Sequence, residues 1–486
     1  MNRDDKWNWS NDEIKRVGYR VVDMISDYLS ALPGRPVFRP CPPDLIGSFM
    51  DGPLPQEGEG VDALLDEFAS NVAAFPFGNG HPRFFGWVNS PPAIVGVFAE
   101  ALAAAMNPSC AGGNHAAIYV ERQVLEWFKR LIGFPEKDSM GLLVSGGSMA
   151  TFTGLAVARH VKVPGVRKEG MQNLQRRAVA YMSVEGHTCI RKALELLGFG
   201  GDNIRAIPVD GSLKMQVAQL EEAIERDLEG GNLPIVVAAS AGTASTGTID
   251  PLHDIRDVCR RHGVWFHVDA AYGGPAVLTA RYRNELAALK DADSLALDPH
   301  KWLYVPVEAG LSLVRDGAAM RDAFSLVPPY IRTDGNSAGV LGLPWFSEYG
   351  FQQTRGFRAL KVWMALKFHG VDGYTASIER DLSLAGRLAE RVRQSGDLQL
   401  VIEPSLSIVC FRFAPAPLRG DEEKLNELNK RLLEAVQLGG NAFLSSTTIN
   451  GAFCLRACVI NHRSTEEDID FLVAHVRQTG ESLLPA

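Results

Sequence analysis

From about residue 90 to 320, short apolar runs alternate with segments of helical periodicity. Gly141-Leu142-Leu143-Val144, Ile235-Val236-Val237-Ala238 and Val264-Trp265-Phe266-His267-Val268 are three such runs. They lack polar alternation, so each suits a strand covered on both faces, the setting of parallel strands joined by helices. The expectation is an α/β fold built on a mostly parallel sheet. With 486 residues the chain exceeds one compact core and implies two or three structural units.

The flanks read differently. Ile14, Val17, Val21, Val22, Met24, Ile25 and Leu29 form an apolar stripe that predicts a helix over 11–30. The Pro- and Gly-rich run 33–60 predicts an extended arm without regular elements and without an evident partner in its own chain. Pro328–Leu343, rich in Pro, Gly and Ser, reads as a mobile loop, and 356–395 as helix. The last part contains strand-like Leu406–Phe411 and Ala452–Arg456, each followed by a helical run, which suggests a small α+β unit. The division expected is 1–85, an N-terminal helical arm; 86–370, a large domain; and 371–486, a small C-terminal domain.

Several function classes are disfavoured. A net charge of −8 argues against general affinity for nucleic acid or anionic membrane. The longest nearly apolar stretch, Pro91–Met106, contains Glu100 and is too short to span a bilayer. The polar opening Met1-Asn2-Arg3-Asp4-Asp5-Lys6 carries no hydrophobic signal segment. Seven scattered cysteines without zinc spacing point to reduced thiols and no metal. A cytoplasmic protein is expected.

The chemistry concentrates in two stretches. One is His267-Val268-Asp269-Ala270-Ala271; the other is Asp298-Pro299-His300-Lys301-Trp302. A lysine directly after a histidine, downstream of a strand ending in aspartate, is what pyridoxal phosphate chemistry requires. The lysine forms the Schiff base, and the aspartate keeps the pyridine nitrogen protonated. Lys301 must be neutral to attack, so an enclosed setting that lowers its pKa is expected. Ser145-Gly146-Gly147-Ser148 follows a strand and opens a helix, where backbone N–H groups and the Ser148 hydroxyl can hold a phosphate. No Gly-Lys-Ser/Thr follows, so this is not a nucleotide P-loop. His187, just after the apolar run Ala178–Met182, can stack on a flat ring. A rival reading takes Gly146 to Ala150 as a nucleophile elbow, with Ser148, Asp269 and His300 in the chain order of an α/β-hydrolase. It leaves Lys301 and the glycine pair unexplained.

Together these residues resemble the pyridoxal-phosphate-dependent group II amino acid decarboxylases, the family of aromatic-L-amino-acid, histidine and glutamate decarboxylases. The similarity covers nearly the whole chain, including His81-Pro82-Arg83-Phe84-Phe85 and Phe357-Arg358-Ala359-Leu360-Lys361. It implies fold type I: a mixed, mostly parallel seven-stranded sheet in a large domain, with a small C-terminal domain beside it. It also implies an N-terminal segment exchanged across a homodimer, with the active sites at the interface. By resemblance Lys301 is the Schiff-base lysine, Asp269 the pyridine partner and His187 the stacking base, with Ala271 on the opposite ring face. Gly147, Ser148 and His300 are phosphate or cofactor contacts, and Tyr330 is the loop tyrosine that protonates the substrate carbon.

There are departures. Asp298 stands where the aromatic decarboxylases have asparagine near the phosphate, and a second anion there repels it unless it faces backbone donors. Ala244 replaces a threonine expected beside the substrate. Asn107, Ser109 and Val307 replace larger apolar side chains, while Trp87 keeps one aromatic wall; Trp87, Ser109 and Val307 are the substrate-side candidates. The expected reaction is α-decarboxylation of an L-amino acid, an aromatic one. An aldehyde synthase and a carbon–carbon lyase are the alternatives within the same cofactor class.

Overall fold

The structure, a computed structural model, describes residues 7–172, 174–326 and 345–484. Seven strands form the larger sheet: β1 Met140–Val144, β2 Ala178–Ser183, β3 Ile204–Ile207, β4 Leu233–Ser240, β5 Trp265–Asp269, β6 Ser294–Leu297 and β7 Gly310–Val314. Their order across the sheet is β1-β7-β6-β5-β4-β2-β3. The neighbours from β6 through β5, β4 and β2 to β3 are parallel, and β7 alone runs against the rest. All six residues of β2 and all but the first of β4 are buried, which is why their sequences show no polar alternation.

This order puts the ends of β1, β2, β4, β5 and β6 on one edge. Leu297 pairs with Leu311 and Val144 with Gly310, so the sequence-singled segments all leave the sheet from that edge. Open α/β sheets bind their ligands there. Packing near the edge is tight: a Cβ on Gly310 would lie 2.4 Å from the Gly146 Cα, so the two backbones meet only because residue 310 is glycine.

A four-stranded antiparallel sheet forms the C-terminal part, with β8 Leu398–Leu400, β9 Ile408–Phe413, β10 Ser445–Ile449 and β11 Ala452–Cys458 in the order β10-β11-β9-β8. The helices Glu422–Leu438 and Glu466–Ser482 bury Leu428, Leu432, Ile469 and Leu472 against Phe411 and Leu455 in a core of their own. The helix Ala359–Gln394 joins the two cores and breaks at Gly370 (φ 65°, ψ 170°).

The helix predicted over 11–30 spans Asn11–Ala31, capped by the Ser10 side chain accepting from Glu13 N–H. Three expectations need correction. The arm does contain a regular element, the helix Pro43–Asp51, in which Pro43 occupies the first position, where a missing N–H costs nothing. It also has a partner in its own chain: Val37 donates to the Gly440 carbonyl, and Val37 and Phe38 pack with Phe84 and Phe443. The strand read from Leu406 begins at Ile408, because Leu406 adopts a left-handed φ of 50°. All seven cysteines are free, and no helix among the described residues is long and apolar enough to cross a membrane.

Candidate active site

At the shared strand edge a cavity of about 630 Å³ opens, lined by residues from both sheets. On the side of the large sheet, its walls come from the ends of strands and the segments that follow them. Ser145–Ser148 follow β1, His187 follows β2, Ala244 and Ser245 follow β4, Asp269 ends β5, and Asp298, His300 and Lys301 follow β6.

Lys301 Nζ lies 3.0 Å from Asp298 Oδ2. The expected lowering of its pKa is not found. Burial works to lower it, but the Asp298 and Asp269 carboxylates, with the hydrogen bond to Asp298, outweigh burial and raise it. In this state the amine is a paired ammonium. Asp298 is 2% exposed; its Oδ1 is buried with no hydrogen-bond partner, so it does not face backbone donors. His300 Nε2 is 3.8 Å from Asp298 Oδ2, and His300 Nδ1 is 2.8 Å from the Ala309 carbonyl oxygen, which fixes the ring.

Asp269 Oδ1 accepts the Ala271 N–H at 3.1 Å, and the residue lines the cavity. His187 Nδ1 accepts the Cys189 N–H at 3.2 Å and caps the helix Thr188–Leu196. With Nδ1 an acceptor, the proton of the neutral ring is on Nε2. Gly147 opens the helix Gly147–Lys162; a Cβ there would fall 2.8 Å from Asp298 Oδ2 and 3.0 Å from the Ala271 Cβ. The space a side chain would take is kept open beside the N–H groups of a helix start, which fits a phosphate. Lys301, Asp269 and that cradle in one cavity suit pyridoxal phosphate.

No hydrogen bond among the described residues joins Ser148, Asp269 and His300, since Asp269 is held by Ala271 and His300 by Ala309. The hydrolase reading loses its triad. Trp87 and Val307 line the cavity and are 46% and 72% exposed, placing them at its mouth. Ser109 is exposed and is not among the lining residues. It follows the helix Ile94–Met106, whose C-cap is Asn107 in the left-handed region, a position that suits asparagine. Ala244 lines the cavity, and the neighbouring Thr243, Thr246 and Thr248 hydroxyls bond to one another at 3.1 and 2.9 Å rather than replacing the missing one. Tyr330 lies outside the described residues.

Sequence reasoning missed Arg456. It is 3% exposed and lines the cavity from β11. Its Nε donates to the Ser245 carbonyl at 3.0 Å and its Nη1 to the Trp87 carbonyl at 2.9 Å, while Nη2 is buried without a partner. The signal was present: Arg456 is the one charge inside the otherwise apolar run Phe453–Val459. Cys189 was also missed; burial above all pushes its thiol up to about 12, so it is neutral.

The chain matches the pyridoxal-dependent decarboxylase conserved domain over residues 43–414. It is 33% identical to an aromatic-L-amino-acid decarboxylase of Bacillus atrophaeus, over 98% of this chain and 97% of that one. It is 28% identical to a phenylacetaldehyde synthase of Arabidopsis thaliana, over 94% and 93% of the two chains. Among solved structures, the Oryza sativa TDC with PLP and tryptamine superposes with a TM-score of 0.92 at 26% identity, over 98% of this chain and 99% of that one.

Proposed function

The chain belongs to the pyridoxal-dependent decarboxylase family, and we propose that it removes the α-carboxylate of an aromatic L-amino acid, releasing the amine and carbon dioxide. The observation that carries this reading is the joint placement of Lys301, Asp269 and the buried Arg456 on one cavity whose mouth bears Trp87. The Bacillus relative, named for aromatic substrates and matched over nearly its whole length, supports the same reading.

When bound, pyridoxal phosphate supplies the electron sink for the pair left on Cα as carbon dioxide departs. The protein's part is orientation and charge. The cradle at Gly147 and Ser148, closed by His300, would hold the phosphate, and Asp269 would hold the proton of the ring nitrogen. His187 and Ala271 would flank the ring. Lys301 would be the amine that holds the cofactor covalently. Arg456 sits where an α-carboxylate is the natural partner for its free Nη2, which fixes the scissile bond relative to the ring. Trp87 offers an aromatic side chain a flat wall. Tyr330 or a water would supply the proton to Cα.

The site is completed by a second copy in a homodimer. Ile94, Phe98, Leu102 and Met106 form an exposed apolar stripe at four-residue spacing on one helix, and Asn107 and Ser109 follow it directly. Covering that stripe with the partner brings Ser109 to the partner's cavity mouth, which accounts for its distance from the cavity of its own chain. The division 1–85, 86–370 and 371–486 describes the arm, the cofactor domain and the small domain.

A second reading is oxidative formation of an aldehyde, favoured by the Arabidopsis synthase relative. One experiment separates them. The holoenzyme is incubated with the common L-amino acids and dopa, and carbon dioxide, amine, aldehyde and oxygen uptake are scored separately. Amine from aromatic substrates without oxygen uptake is expected; aldehyde with oxygen uptake overturns the simple decarboxylation. Tyr330→Phe, which removes the proton donor, is expected to shift product toward aldehyde.

A further inference from the structure

Asp298 is the charged group at the phosphate corner to which the proposed reaction gives no part. Its Oδ2 is 3.0 Å from Lys301 Nζ, and its Oδ1 is buried without a partner. Cβ atoms built on Gly147 and Gly146 would fall 2.8 Å from Oδ2 and 3.9 Å from Oδ1. The carboxylate therefore flanks the first turn of the helix whose N–H groups form the cradle, yet accepts from none of them.

Of the ionisable groups around it, only Lys301 sets a positive charge against its carboxylate at ion-pair distance without depending on protonation of an imidazole. Its own loop contributes Lys301, His300 at 3.8 Å and, farther along the cavity, Glu308. The strand β5 contributes Asp269, which acts on the same lysine. The segment after β2 contributes His187 and the neutral thiol of Cys189. Arg456 lies on the wall built by the small sheet, and the first turn of the cradle helix, Gly147–Ala150, has no ionisable side chain. One ammonium already serves two carboxylates. A phosphate ester brings roughly −1.5 to −2 charges more at neutral pH, into a corner where Asp298 is 2% exposed.

We propose that the cradle takes up its phosphate ester together with one proton, and that Asp298 carries it. In its acid form Asp298 donates a hydrogen bond to a phosphate oxygen instead of repelling it. The proton comes from solvent on binding and returns on release, and no bond of the ester breaks. Cofactor retention is then weakened by alkaline pH through one named residue. The inference rests on the phosphate placement proposed above.

The test uses the full-length, cofactor-stripped protein and pyridoxamine 5′-phosphate, which carries the phosphate but no aldehyde and leaves Lys301 unconsumed. Calorimetric titration in buffers of different ionisation enthalpy counts the protons taken up. Wild type is expected to take up one proton more than Asp298→Asn. The ratio of wild-type to variant Kd is expected to climb with pH, by about tenfold per unit wherever binding takes up one full proton. Equal proton counts with parallel pH profiles overturn the proposal. So does loss of the extra proton in His300→Gln with its retention in Asp298→Asn, which would place it on the imidazole. If Asp298→Asn does not fold, Asp298→Ser is measured in its place. Unchanged affinity in Gly147→Ala overturns the phosphate placement itself, a separate failure.

Discussion

Asp381 accepts the indole N–H of Trp302 at 2.9 Å, across 79 residues of chain. The Tyr304 hydroxyl donates to the same carboxylate oxygen, and Trp302 stacks on Tyr272 with ring centroids 5.1 Å apart. Lys301 immediately precedes Trp302, so the amine is presented from a loop whose next residue is fully buried and bonded to the long connecting helix. Asp381 anchors the two aromatic residues that follow Lys301 in this loop.

Its pH behaviour follows from burial, which pushes the Asp381 carboxyl up to about 7 against the pull of the Tyr304 and Trp302 hydrogen bonds and of Arg380. Between the unfolded value near 4 and the folded value, the native state keeps a proton that the unfolded chain has released. Stability is thus greatest below that window and falls as pH rises through it, by up to about 1.4 kcal/mol per pH unit. Asp381→Asn has no such proton. The stability of wild type relative to this variant, from unfolding of the apoprotein at a series of pH values, should decline across the window and level off above it. A flat difference would remove the linkage.

Gly147→Ala places a methyl 2.8 Å from Asp298 Oδ2 and 3.0 Å from the Ala271 Cβ, so the carboxylate or the helix start must shift. The expected result is loss of pyridoxal phosphate affinity by at least about tenfold, with a stability cost of about 1–3 kcal/mol. Equilibrium dialysis and thermal unfolding of the apoprotein measure the two effects separately.

Lys301→Ala should fold and bind cofactor weakly but turn over nothing, because the cradle persists without the amine. Borohydride treatment of the wild-type holoenzyme should fix the reduced cofactor to Lys301, read by peptide mass spectrometry. A label on another lysine would contradict the assignment.

Asp269→Asn keeps the shape and the Ala271 contact but removes the charge that the proposed function sets against the ring nitrogen. Cofactor should remain bound while turnover falls by orders of magnitude. Near-normal turnover would move that role elsewhere.

Leu102→Glu inserts a charge in the exposed stripe Ile94, Phe98, Leu102 and Met106. If that face meets a second copy, the variant should sediment as a monomer and lose activity, while wild type sediments as a dimer. An active wild-type monomer at assay concentration would refute the shared site.

Much of this protein is local and was legible in the chain. Uninterrupted apolar runs identify buried strands because such a strand exposes neither face, and β2, β4 and β5 appear where those runs lie. Lys301, Asp269 and Gly147 are recognisable because each chemical task admits few residue types. Other features depend on what comes near in space. The raised pKa of Lys301 arises from two carboxylates, one of them thirty-two positions away, overriding burial. Arg456 joins the cavity only because the small sheet folds against the large one, bringing its guanidinium to the carbonyls of Ser245 and Trp87. Asp381 anchors Trp302 only because the connecting helix passes behind the lysine loop. Sequence periodicity reports which side of an element is apolar; charge coupling and hydrogen bonding between distant elements depend on distance, and distance is decided by the tertiary fold.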